Sequence, residues 1–233
     1  MANGNDDFIR ESVKQDVTFF TIYDGQLCQK RANPTSGFDS YITKHSKKHA
    51  GKEVFIRKCN GINGYLVGIK KEDRETVDKT SKYYVLVFTF QSASGRLAKL
   101  EVAIKSNFVA AFAKRIEVID LMKPIEFGAF WANAESKEIN WFKQDGIKVS
   151  AQFTEQNPRD LPQWVKNEVT GDLDTTAYWT YLVSLLRKTA SEEKLKEVQM
   201  MLSSSQADFE AESVPPDANN EEYTGPSDDD IPF

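Results

Sequence analysis

Apolar and polar residues alternate with period two over many short stretches of this chain, and turn-forming residues separate the stretches. VTFFTIY (17–23) and QLCQKRA (26–32) flank Asp24-Gly25 and predict a β-hairpin. After the loop-like NPTSGFDS (33–40), EVFIRKC (53–59) and YLVGIKK (65–71) predict two strands around the turn residues of NGING. KEDRETVDKTSK reads as a charged loop. Beyond it, YYVLVFTF (83–90), SASG and RLAKLEVAI (96–104) give the strongest hairpin signal, and predict the centre of a sheet packed by Tyr83, Tyr84, Phe88 and Phe90. Strands are expected again at PIEFGAFWA (124–132), INWFK (139–143) and GIKVSAQF (146–153). In the last, Ile147, Val149, Ala151 and Phe153 alternate with Lys148, Ser150 and Gln152, as in a sheet with one wet face.

The period turns helical in two places. Ser106 or Asn107 can cap a short helix over 108–116, with Phe108, Ala111, Phe112 and Arg115 on one face. From Asp174 onward Tyr178, Leu182, Leu185 and Leu186 share a side, and Thr189 to Glu192 offers a capping box for a second helix ending near Leu202. Seven or more short strands interrupted by one short helix predict a mainly β, closed or partly closed barrel. The expected organisation is a flexible segment at 1–13, a barrel at about 14–156, a helical extension at 157–202 and a disordered acidic tail at 203–233.

Composition fits that picture: 233 residues with 40% hydrophobic and 28% charged can bury a core. No apolar run approaches the roughly 20 residues of a membrane-spanning helix. MANGNDDFIRES has neither the basic start nor the apolar stretch of a secretion signal, and Cys28 and Cys59 allow one disulfide at most. A reducing, cytoplasmic setting is expected.

Charge changes the picture more. Nine of the 35 acidic residues lie after Leu202, where there is no Lys or Arg, which leaves 26 acids against 30 bases before it. A basic body therefore carries an acidic tail. Residues 30–71 concentrate the excess further, with ten Lys or Arg against only Asp39 and Glu53, a pattern that attracts a polyanion. Lys44, Lys47, Lys48, Lys52, Arg57, Lys58, Lys70 and Lys71 are the candidate phosphate contacts. Engagement of about five would make log affinity fall with log salt at a slope near -3.5.

Rings are interleaved with these cations. If Val54 and Ile56 point into the barrel, Phe55 and Arg57 face outward together. Phe38 and Tyr41 sit beside the KHSKKH segment, where rings have little core to join. The same alternation turns Ile125, Phe127, Ala129 and Trp131 inward and Phe130 outward. It puts Trp141 and Phe142 on opposite faces without deciding which reaches solvent. Phe38, Tyr41, Phe55, Phe130 and Trp141 are thus the candidate base-stacking residues, each real stack being worth roughly 1 to 3 kcal/mol with no base-edge reading.

The last six residues, Asp228, Asp229, Asp230, Ile231, Pro232 and Phe233, match the C-terminal tip of bacterial single-stranded DNA-binding proteins residue for residue. The strand, short helix, strand, hairpin, strand order of residues 96–153 also resembles the barrel of that family. The resemblance implies an OB-fold that coats single-stranded DNA, with a tip that docks replication, repair and recombination proteins. The N-terminal half, the helical segment and the lack of a Gly- and Gln-rich linker depart from the common bacterial pattern towards a divergent, phage-type member in a bacterial cytoplasm. A strand-annealing recombination mediator and a replisome adaptor that does not touch DNA are the alternatives.

Nothing in the sequence points to an enzyme. His45 and His49 would share a helix face with Cys59 as a third ligand, but no further thiol or acid stands at ligand spacing, so no metal and no cofactor is expected. Phosphate-loop, zinc-protease and nucleophile-elbow motifs are all missing from the sequence. The tail's carboxylates, tethered to a cationic groove, compete with nucleic acid for it at high effective concentration. Deleting 203–233 is therefore expected to tighten oligonucleotide binding at low salt, measured by anisotropy titration; unchanged or weaker affinity would contradict the competition.

Overall fold

The computed structural model describes residues 17–42, 53–75, 82–132, 137–154, 156–168 and 170–212. The strands are β1 (Val17–Tyr23), β2 (Gln26–Arg31), β3 (Asp39–Ile42), β4 (Glu53–Lys58), β5 (Ile62–Glu75), β6 (Lys82–Gln91), β7 (Leu97–Ala103), β8 (Ile125–Ala132), β9 (Lys137–Gln144), β10 (Ile147–Lys148), β11 (Val165–Lys166) and β12 (Leu173–Asp174). The helices are α1 (Asn107–Ala113), α2 (Thr176–Thr189) and α3 (Glu192–Glu212). The chain is mainly β. Ten strands form one sheet in the order β10-β9-β8-β5-β6-β7-β1-β2-β4-β3, while β11 and β12 pair separately.

The hairpin read from the sequence as the sheet's centre, β6 with β7, lies there. Two Asp-Gly pairs make the tightest turns. Asp24 and Gly25 at φ 49° and 67°, and Asp145 and Gly146 at 52° and 75°, are the left-handed pairs that two-residue hairpins require. The 14-residue β5 serves two partners: Ile62, Asn63 and Gly64 pair with β8, and residues from Tyr65 to Glu75 pair with β6. A register shift between Leu66 and Gly68 bends it between them. At that bend the Val67 carbonyl accepts a 2.8 Å hydrogen bond from Gln199 Nε2 of α3.

The expected antiparallel barrel is instead a mixed, open sheet. The reason is a pairing distant in sequence: β1 pairs in parallel with β7, Phe19 opposite Lys99 and Phe20 opposite Leu100, and so occupies the edge another strand would need for closure. The sheet still curls until β2 packs against β8, although no ladder joins the two.

Six phenylalanines fill the space inside the curl. Phe88, Phe90, Phe108, Phe112, Phe127 and Phe142 are all fully buried, and burial of each contributes roughly 1.5 to 3 kcal/mol. Phe88 meets Phe108 and Phe112 edge-on at 5.6 and 5.3 Å. Ser106, whose Oγ accepts from Val109 N, caps α1 as the sequence suggests. Arg115 Nη1 donates to the Ala111 carbonyl at 2.7 Å and Nε to the Val149 carbonyl at 3.0 Å, and burial lowers its pKa.

Several elements depart from the sequence reading. The charged segment after Lys71 continues β5 to Glu75, and β3 replaces part of what reads as loop and connector. Tyr83 and Tyr84 are exposed rather than packed in the sheet, because the β5–β6 hairpin runs past the core. GIKVSAQF yields only the two-residue β10, with Ile147 72% exposed; Phe153 alone of its alternating set is buried. Val54 and Ile56 are buried, but with Cys28 and Tyr23 in a satellite cluster apart from the main core.

At α3 the capping residue is Ser191, whose Oγ accepts from Lys194 N, since Thr189 still belongs to α2. The helix continues past Leu202 to Glu212. Hydroxyls of Ser203, Ser204 and Ser205 bond back to the Gln199, Met200 and Met201 carbonyls, which satisfies these polar groups within the helix. Leu182, Leu186, Leu195, Val198 and Leu202 belong to the same core cluster as the phenylalanines, so the helical extension is packed on the sheet.

Phe88→Ala is expected to cost about 3 to 5 kcal/mol, because both of its edge-on partners would face a void. Urea unfolding followed by circular dichroism measures it.

Candidate nucleic-acid interface

Side-chain alternation carries the inner face of the curl outward along β2. Leu27 is in the core, Gln29 is 8% exposed, and Arg31 is in solvent on the same face. The register of β2 with β4 sets Arg57 opposite Gln29 and Phe55 opposite Arg31. Arg57 Nη2 donates to Gln29 Oε1 at 2.7 Å, which gives the buried amide its partner and aims the guanidinium. The turn before β3 places the Phe38 ring 5.3 Å from the Arg31 guanidinium carbon and 5.0 Å from that of Arg57. Among the described residues neither arginine has an acidic partner.

Phe55 and Arg57 share a face as the sequence predicts, but it is the inner face of the curl continued past the core and not the outward one, because Val54 and Ile56 turn to the satellite cluster on the other side. Phe38 joins them, with Arg31 and Gln29, which the sequence reading did not single out. Their signal lies in pairing, since only the β2–β4 register sets Arg31 beside Phe55. The Tyr41 side chain, Lys44, Lys47, Lys48 and Lys52 lie outside the described residues, as do His45, His49, the Trp131 side chain, the segment 1–16 and the tail from 213 to Phe233, including Asp228, Asp229, Asp230, Ile231 and Pro232. The undescribed residues 43–52 connect β3 to β4.

The other predicted cations are placed elsewhere. Lys58 is opposite Cys28, on the reverse face of β4 from Arg57. Next to it the Cys28 thiol is pushed up to about 11 by burial and by the neighbouring Cys59, with Lys58 opposing the rise. Lys70 lies on that same reverse face, 4.0 Å from Glu72, and Lys71 stands 3.6 Å above the exposed Tyr84 ring on the β5–β6 hairpin.

The outer face of β8 and β9 forms a second aromatic spot. Phe142 is the core member of its pair and Trp141 the outward one, which answers what the sequence leaves open. Trp141 is opposite Gly128, and its indole lies flat against Gly128 and Gly61 with Lys143 Nζ 5.3 Å from the ring. Phe130, 43% exposed, projects from the same face beside Ile139. Asn60 and Gly61 link this spot to the end of β4.

The sequence reading also missed Phe19. It is 53% exposed and paired with Lys99 of β7 on one side and Lys30 of β2 on the other. A cleft of about 540 Å³ opens beside it at the start of β1.

No cluster of His, Cys, Asp and Glu among the described residues is arranged to hold a metal ion, and no described helix is long and apolar enough to cross a membrane. No protein-family model, curated protein or solved structure matches the chain.

A Cβ at position 128 would stand 2.7 Å from the Trp141 indole and 2.5 Å from the Asn60 carbonyl oxygen. Gly128→Ala is therefore expected to lift the indole off the sheet and to cost about 1 to 3 kcal/mol. Urea unfolding and a red shift of tryptophan emission report the two effects.

Proposed function

We propose that this chain binds single-stranded DNA without sequence preference, by stacking bases on exposed rings and guanidinium planes while cations neutralise phosphates. The observation that carries the reading is the Phe38 ring held by the Arg31 and Arg57 guanidiniums, both lacking an acidic partner among the described residues. Such a surface offers flat π-faces and positive charge together, which is what sequence-tolerant binding of unpaired strands uses. The ten cations of residues 30–71 supply the long-range attraction.

The framework supports the same reading. Within the sheet, β9-β8-β5-β6-β7 runs in that order, α1 connects β7 to β8, and the long β5 is shared by β6 and β8. An OB barrel has this arrangement: five strands, partly open, with oligonucleotides bound across its second and third strands. In this proposal β1 to β4 are additions to an OB unit, and they carry the cation and ring cluster. The matched segment from Asp228 to Phe233 is proposed to dock replication, repair and recombination proteins, with the Phe233 ring and the preceding aspartates as the recognised groups. The annealing alternative asked the helical segment to drive oligomerisation; its apolar residues Leu182, Leu186, Leu195 and Val198 are instead used within the chain.

Titration of fluorescent poly-dT is expected to show saturable binding whose log affinity falls with log salt at a slope near -3.5. Arg57→Gln should reduce that slope by about 0.7. Phe55→Ala should weaken binding by about 1 to 3 kcal/mol. Absence of binding at low salt would contradict the reading and favour the adaptor; efficient annealing of complementary strands would favour the recombination mediator.

A further inference from the structure

We propose that the outer face of β7, β1 and β2 holds a second contact for the bound strand, with Phe19 as the stacking platform and Lys30 and Lys99 as its phosphate partners. The inference rests on the single-strand reading above, and extends it to a face of the sheet that the Phe38 cluster does not occupy.

Cross-strand register builds the site. One ladder runs Gly68, Thr89, Lys99, Phe19, Lys30, Ile56, Asp39 across β5, β6, β7, β1, β2, β4 and β3. Adjacent strands are about 4.8 Å apart, so the two lysine backbones flank the ring at that spacing on either side. Towards β5 the ladder falls to Thr89 and then to Gly68, which leaves the approach to the ring low and open. Phe20, the next residue in β1, packs on the core, so Phe19 contributes nothing there. Among the described residues, no other ring or guanidinium packs on Phe19.

The neighbouring charges favour an anion. Neither Lys30 nor Lys99 has an acidic partner among the described residues. Of the carboxylates on this face, Glu101 is bonded at 2.8 Å by Arg74, which also holds Glu72 at 2.7 Å, and Asp39 of β3 stands opposite Ile56, two strands beyond Lys30. The next ladder begins with Lys70 and ends with Lys58, so two predicted phosphate contacts separated from Arg57 by the pleat fall on the Phe19 face.

The cleft at the start of β1 connects the two faces. Its lining takes Phe19 and Lys30 from the outer face, and Gln29 and Arg31 from the inner one. A strand stacked at Phe38 and Arg31 can follow it over the sheet to Phe19 past Lys30, and the one acidic side chain in the lining, Glu101, is held by Arg74. A protein partner is the competing occupant; the ring between two lysines favours a base flanked by phosphates.

The test uses the full chain and fluorescent oligo-dT. Phe19→Leu keeps the apolar bulk without a π-face and is expected to weaken binding about fivefold or more, while Phe19→Trp holds the wild-type affinity and its added emission is quenched by DNA. The double change Lys30→Gln, Lys99→Gln should reduce the salt slope by about 1.4. Thermal unfolding of each variant near the wild-type temperature shows that the exposed site, not the fold, is altered. If wild type binds but Phe19→Leu and the lysine pair both stay within twofold of it, the second contact is overturned and the Phe38 surface stands. If wild type itself fails to bind, the single-strand reading falls, and the Phe19 contact with it.

Discussion

Pleat alternation in β1, β2 and β4 decides which side chains are free to meet a ligand. The inner face of the curl is claimed by the phenylalanine core, which takes Phe20 from β1 and Leu27 from β2. Where β2 outruns that core, its next inward positions are Gln29, opposite Phe20, and Arg31, opposite Phe55, and the face changes from packing to cationic within one strand. The alternate positions are released to the other side, which is why Phe19 is in solvent while Phe20, half-buried, packs on the core. A one-residue slip in the β1–β2 register would exchange these sets, and the Asp24-Gly25 turn fixes the register against it.

Much of the sheet was legible in the sequence because period-two patterning and Asp-Gly turns are local signals. The core roles of Phe88, Phe90 and Phe127 follow from them, and the cap falls on Ser106, one of the two residues the sequence offers for it. What was not legible depends on partners distant in the chain. The parallel pairing of β1 with β7 leaves no local mark, and in place of an expected closed or partly closed antiparallel barrel it gives an open mixed sheet. Tyr83 and Tyr84 read as core because nothing in their own strand shows that the hairpin outruns the helices and strands beneath it. Ile147 and Val149 keep perfect alternation, yet the ladder with β9 lasts two residues and ends on the 2.9 Å hydrogen bond from Val149 N to the Phe142 carbonyl.

The candidate site shows the same division. Composition located the basic region and alternation grouped Phe55 with Arg57, but the predicted cations are divided between two faces, which a linear count cannot reveal. Arg31 became important only through its register with Phe55, and Phe19 only through its register with two lysines. The helices belong to the scaffold. By burying Leu195, Val198 and Leu202 in the common core, α3 holds the bulged strand β5, and with it the bend that lets one strand serve both β6 and β8.

Hydroxyl-radical footprinting of the full chain with and without saturating oligo-dT tests the central claim most directly, since it reports each ring separately. Protection of Phe38, Phe55 and Phe19, with the exposed Trp164 unchanged as internal control, is the result this account predicts. Protection of Trp164 with Phe38, Phe55 and Phe19 still fully oxidised would contradict it.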